Sequence, residues 1–159
     1  MYSAGLRISE VVNLQVKDID SKRMMIHIRA GKGNKDRYTP LSHNALSALR
    51  TYWLSYRPKV WLFTGRNENK PMSCRVVQHG IDRLRKQYGL EYFTSHHLRH
   101  CFAVHSLEAG CDILEVKQML GHTSLSATAR YLQVRSRPEL RRKNPFDLPL
   151  GTPWSTRGK

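Results

Sequence analysis

Apolar residues fall along the chain in short helical and strand-like groups, and glycines, prolines and charged stretches separate them. Ser9 to Leu14 predicts a short amphipathic helix, with Val11, Val12 and Leu14 turned inward. Met24 to Arg29 reads as a strand and Arg37 to Leu41 as its partner. Between them Gly31-Lys32-Gly33-Asn34-Lys35-Asp36 has the glycines and polar residues of a hairpin turn. Ser42 is placed to cap a helix running to about Tyr56, with Leu46, Leu49, Trp53 and Leu54 as its apolar stripe, and Pro58 ends it. Val60 to Phe63 predicts a short strand, followed by a loop from Gly65 to Pro71. Ser73 is expected to cap a helix from Cys74 to about Tyr88, apolar at Val76, Val77, Ile81 and Leu84 and basic at Arg83, Arg85 and Lys86. Gly89 closes it.

The second half is more strongly helical. A helix from about His97 to Ala109 buries Leu98, Phe102, Val104 and Leu107, with Gly110 at its end. Asp112 caps another through Ile113, Val116, Met119 and Leu120, which stops at Gly121. Ser124 or Ser126 begins a short helix that carries Tyr131. Ser136 and Pro138 predict one or two further turns through Leu140 and Arg142. From Asn144 the chain has three prolines and two glycines, and disorder is expected in its last residues. These elements predict an α+β fold, mostly helical with a small antiparallel sheet. No repeat or low-complexity segment is present.

A length of 159 residues with 40% hydrophobic content favours one folded domain. No apolar run approaches the roughly 20 residues of a membrane span, and no signal peptide opens the chain, so a cytoplasmic protein is expected. Charge narrows the choice of partner. Lysine and arginine total 27 against 12 acidic residues, a net charge of +15. Such an excess repels itself unless an anion meets it, and nucleic acid is the best-fitting partner, the spread of basic residues suiting an extended surface that faces DNA more than one basic tail. An ordinary soluble basic surface or a ribosome-associated protein is the bland alternative. Cys74, Cys101 and Cys111 show no CxxC spacing and read as reduced packing residues. His97, Cys101 and His105 recur every four residues, but a fourth zinc ligand is missing and no metal site is assigned.

The stretch from His96 to Tyr131 carries the chemistry. It holds His96-His97-Leu98-Arg99-His100, then Leu120-Gly121-His122, then Tyr131. Arginine grips phosphate oxygens with a planar fork of donors. Histidine moves protons near neutral pH. A tyrosine hydroxyl is a nucleophile once a neighbour takes its proton. Together they suit reaction at a phosphodiester. Singly, each has a plainer reading: a surface arginine, a packed histidine, a half-buried tyrosine.

Gly5-Leu6-Arg7-Ile8-Ser9-Glu10, Gly31-Lys32-Gly33-Asn34-Lys35, His96-x-x-Arg99, Leu120-Gly121-His122 and Tyr131 occur in the order and spacing of tyrosine recombinases. From Gly5 to Leu140 the chain resembles the catalytic domain of a Xer-like or phage-type integrase. The resemblance implies that Tyr131 attacks the scissile phosphate, forming a 3′-phosphotyrosyl link and freeing a 5′-hydroxyl. Arg7 and Arg99 would grip the non-bridging oxygens. Lys32 and Lys35 compete to protonate the leaving oxygen; the family's pattern favours Lys32, with Lys35 as a DNA-backbone contact. Arg37, at the same hairpin, is also placed to reach DNA, a solvated turn being its plainer reading. His96 would act in proton transfer at the nucleophile or orient it, and His122 would hydrogen-bond the phosphate. Glu10 would support the site. Positive groups take the place of a metal, so no cofactor is implied.

The resemblance further implies a catalytic domain over residues 1–143, a partly disordered tail over 144–159, and a homo-oligomer on DNA, a tetramer in the family. Full-length members carry an N-terminal core-binding domain, and Arg7 lies so near Met1 that an N-terminal part is expected to be missing. Two other readings stand beside the recombinase: a non-catalytic DNA-binding or regulatory remnant of an integrase, and a type IB topoisomerase using the same chemistry.

Overall fold

A computed structural model describes residues 1–29, 36–129 and 131. The hairpin tip with Lys32 and Lys35, the turns expected through Leu140 and Arg142, and the tail from Asn144 lie outside the described residues.

The chain opens with one 3-10 turn at Tyr2–Ala4, which Gly5 ends in the left-handed conformation. Helix α1 (Ile8–Val12) follows at once. A three-stranded antiparallel sheet comes next, in the order β1 (Ile19–Asp20), β2 (Met25–Ile28), β3 (Arg37–Pro40). The expected hairpin is present, with Ile26 opposite Thr39 and Ile28 opposite Arg37. Strand β1 had no signal in the pattern, because two residues are too few to show alternation. A turn holds it to β2, in which the Asp20 carboxylate accepts from the Lys22 and Arg23 N–H groups.

Helix α2 (His43–Tyr56) starts as expected, with the Ser42 hydroxyl accepting from the Ala45 N–H at 3.2 Å. Its stripe is shifted from the expected one. Ala45 and Leu46 are buried and Leu49 packs beside them, while Trp53 and Leu54 face out. Arg57 lies over the Trp53 ring at 4.2 Å, so the indole is capped by a cation instead of a core. The strand expected at Val60 to Phe63 forms only an isolated bridge, Gln15 with Trp61. It still fastens Leu62 to the Leu14 carbonyl at 2.8 Å. Helix α3 (Cys74–Gln87) buries Ile81 and leaves Val76 and Leu84 exposed, so its inward face is narrower than its apolar residues imply.

Helices α4 (Ser95–Glu108), α5 (Ile113–Leu120) and α6 (Ser126–Ala129) complete the described chain. Asp112 caps α5, accepting from the Leu114 N–H at 2.7 Å, and Gly121 ends it with φ +63°. Phe102, Ala103, Val104 and Leu107 of α4 pack with Val116 and Leu120 of α5 and with Tyr131. A separate apolar cluster joins Ala4, Leu6, Leu14, Ile26, Ile28, Leu41, Ala45, Leu46 and Leu62. The fold is α+β, mostly helical with one small antiparallel sheet. Among the described residues no helix is long and apolar enough to cross a membrane. The cysteines are free thiols.

Candidate active site

Glu10 sits where the two clusters meet, and three arginines surround it. Arg7 precedes α1 in extended conformation, so its own N–H points along the helix and donates to Glu10 Oε2 at 2.7 Å. Its Nη1 donates to Oε1 at 2.9 Å. Arg37 comes from the start of β3 and donates to both carboxylate oxygens, each at 2.8 Å. Arg99 comes from α4. Its Nη1 donates to the Gly5 carbonyl at 2.7 Å and lies 3.7 Å from Glu10 Oε2, and its Nη2 donates to the Leu120 carbonyl.

Burial makes these bonds strong. The Glu10 and Arg37 side chains are each 8% exposed, and Arg99 is 1% exposed. Burial alone would raise the Glu10 carboxyl, but hydrogen bonds from the Arg37 side chain and the Arg7 N–H outweigh it and hold the group below its ordinary value. Burial, followed by repulsion from Arg7, brings the Arg99 guanidinium down to about 10, partly offset by Glu10. It stays protonated at neutral pH. One carboxylate does not neutralise three guanidinium groups, so the cluster keeps an excess of positive charge suited to a phosphate.

Two close approaches let the cluster form. A Cβ on Gly5 would lie 2.5 Å from the Phe102 ring, and one on Gly121 would lie 2.9 Å from Arg37 Cδ. Both glycines also have φ of +63°. The Gly-Leu-Arg and Leu-Gly-His motifs thus carry their glycines for space as well as for turning.

The histidines and the tyrosine lie on the α4 side. His96 is exposed near the start of α4, three residues before Arg99. Burial lowers its pKa, and the charges of Arg99 and Arg7 lower it further, so the ring is neutral at pH 7. The His122 Nδ1 bonds to the Thr128 hydroxyl at 3.0 Å, which sets the ring's orientation. The His122 ring lies nearly parallel to Tyr131 at 6.5 Å, and His100 meets Tyr131 edge-on at 5.0 Å. Tyr131 is 3% exposed. Its N–H donates to the Thr128 carbonyl at 3.0 Å, closing the turn after α6.

The structure therefore gathers Arg7, Glu10 and Arg99 at one point and sets His122 against Tyr131. Lys32 and Lys35 lie outside the described residues. Arg37, expected as a DNA contact, instead has its guanidinium buried against Glu10 and the Met119 carbonyl. His100 and Thr128 carried no assigned role in the sequence. His100 had a signal, since it lies four residues after His96 on one helix. Thr128 had none, because its contact with His122 needs the fold. His97, Cys101 and His105 are not drawn into a metal site: His97 Nδ1 bonds to Thr94, His105 Nδ1 bonds to the Tyr2 hydroxyl at 2.8 Å, and the described residues hold no group of three metal-binding side chains.

Comparison with known proteins places the chain in a family. The phage integrase family model matches residues 1–137. The chain is 44% identical to the Sinorhizobium fredii protein y4eF over 96% of its own length, and spans 62% of that protein. It is 36% identical to the tyrosine recombinase XerA of Pyrococcus horikoshii over 86% of its length, spanning 49% of XerA. The crystal structure of a XerA recombinase superposes with a TM-score of 0.72 at 32% identity, over 82% of this chain and 49% of that one. The XerH recombinase bound to its difH substrate matches with a TM-score of 0.71 at 25% identity, over 82% of this chain and 40% of XerH. The chain thus spans about half the length of the proteins it matches, and over that span it belongs to the phage integrase family.

Proposed function

We propose that this chain is the catalytic part, residues 1–143, of a site-specific DNA recombinase that cleaves and rejoins strands through a 3′-phosphotyrosyl intermediate. One observation carries the reading: a buried carboxylate braces three arginines beside a neutral histidine, with Tyr131 near enough to Arg99 to interact with its charge. That arrangement supplies cations for a phosphate, an acceptor for a proton and a nucleophile, and it calls for no metal or cofactor.

In the proposed reaction the Tyr131 oxygen bonds to phosphorus and the bond to the 5′-oxygen breaks. His96, neutral at pH 7, takes or steers the tyrosine proton. Arg7 and Arg99 stabilise the charge that builds on the non-bridging oxygens, and His122 donates to one of them. Lys32 protonates the departing 5′-oxygen. The phosphate bond to tyrosine replaces the bond broken in DNA, so a second 5′-hydroxyl can reverse the step without an external energy source. Double-stranded DNA is the substrate, held by Lys35 and the basic surface and weakened steeply by salt. A homo-oligomer on DNA, in the cytoplasm, exchanges strands for a mobile element.

The burial of Tyr131 favours a second reading, a DNA-binding remnant without turnover. Covalent trapping separates the two. The chain is mixed with a randomised, nicked duplex library, denatured and assayed for protein-linked DNA. A recombinase gives an adduct that the Tyr131→Phe chain does not form. A remnant binds DNA and gives no adduct.

A further inference from the structure

Arg37 makes three side-chain hydrogen bonds, and each leaves its own strand. Two run to the two oxygens of Glu10 on α1, and the third runs from Nε to the Met119 carbonyl near the end of α5, all at 2.8 Å. The next carbonyl, of Leu120, receives Arg99, and Gly121 and His122 follow. Gly121 lies against the Arg37 stem, where a Cβ would be 2.9 Å from Cδ. The arginine is therefore built into the site from both sides.

The bidentate grip has a consequence for the other two arginines. Glu10 is the buried carboxylate within reach of all three. Arg37 bonds both its oxygens, Arg7 makes one side-chain bond to it, and Arg99, which donates to the Gly5 and Leu120 carbonyls, stands off at 3.7 Å. The remaining donors of Arg7, whose side chain is 30% exposed, are not taken up by Glu10. Without Arg37, a planar carboxylate beside two guanidinium groups would form its own bidentate pair with one of them. That pairing would turn the phosphate-binding donors inward.

We propose that Arg37 is a positioning residue: it saturates Glu10 so that Arg7 and Arg99 stay available to the phosphate, and it fixes the end of α5 from which His122 projects. The proposal rests on the recombinase reading. It replaces the expected role of Arg37 as a DNA contact. Lysine cannot substitute, because a single ammonium lacks the fork and the separate Nε donor.

The test compares the full chain with Arg37→Lys and Arg37→Met, each checked for folding by thermal unfolding. The substrate is the nicked duplex that the unaltered chain captures from the library, made with either a phosphate or a neutral methylphosphonate at the scissile position. A positioning role predicts that both variants bind this duplex normally but form adduct about 100-fold more slowly, as misplacement by an ångström does. It predicts a loss at least about tenfold smaller on the methylphosphonate, whose missing charge asks less of the arginines. Normal rates for Arg37→Lys, or equal losses on both substrates, would overturn it. A measurement without DNA gives an independent answer. The Glu10 carboxyl carbon is titrated by NMR, and its midpoint should move up in both variants. An unmoved midpoint overturns the proposal. Failure of the unaltered chain to form any adduct counts against the recombinase reading, and the titration then decides the role of Arg37.

Discussion

The two halves of the molecule bury their apolar residues separately and by different means. In the first, a sheet and α2 collect side chains from Ala4 to Leu62, distant in sequence. In the second, α4 and α5 pack as neighbours and Tyr131 closes onto them. Neither half holds a complete site. Arg7, Glu10 and Arg37 belong to the first, and His96, Arg99, His122 and Tyr131 to the second. The seam is different from both cores. It is fastened by Arg99 to the Gly5 carbonyl, Arg37 to the Met119 carbonyl and the Tyr2 hydroxyl to the His105 ring. The difference teaches that each core packs locally, while the proposed site depends on a buried polar joint that fixes one half against the other.

Breaking that joint should have the largest effect. Arg99→Met leaves two buried carbonyls without their donor and removes a cation beside Glu10. A loss of about 3–5 kcal/mol is expected, read by urea unfolding, together with loss of the covalent adduct. Gly5→Ala wedges the seam by driving a Cβ into Phe102 from a left-handed backbone. It should cost about 1–3 kcal/mol in the same assay.

Acid acts on the seam more gently. The Glu10 carboxyl is held below its ordinary value of 4.5, so its contribution to stability is fully present above that pH. The contribution is lost as pH falls through the lowered value. Unfolding followed from pH 6 to pH 2 should show a decline in the acid range that Glu10→Gln makes shallower; parallel curves would deny the joint its role. Val76 is the control. It is 54% exposed on α3 and belongs to neither core, so Val76→Ser should change stability by less than about 0.5 kcal/mol.

Each half was legible in the sequence to a different degree. The hairpin, the Ser42 and Asp112 caps and the stop at Gly121 follow from local signals, and all are present. Trp53, Leu54, Val76 and Leu84 are apolar at helical spacing and yet lie outside, because periodicity marks a face without showing that anything covers it. The site residues were named from a spaced pattern, and the fold brings Arg7, Glu10 and Arg99 together. Their actual partners were not legible. Arg99 bonds to main-chain carbonyls, which every residue has, so no side-chain type announces them. Arg37 looked like any basic residue near a turn, and only the fold turns it inward onto Glu10.

The claim that the site is shared between the halves is tested most directly by the rate at which an Arg7→Ala chain forms the Tyr131-linked adduct. Arg7 lies in the first half and is exposed enough to be removed without opening either core. If both halves act on one phosphate, a folded Arg7→Ala chain should bind the captured duplex and form the adduct at least about 100-fold more slowly. An adduct formed at the unaltered rate would show that Tyr131 reacts without the first half, and would contradict the account.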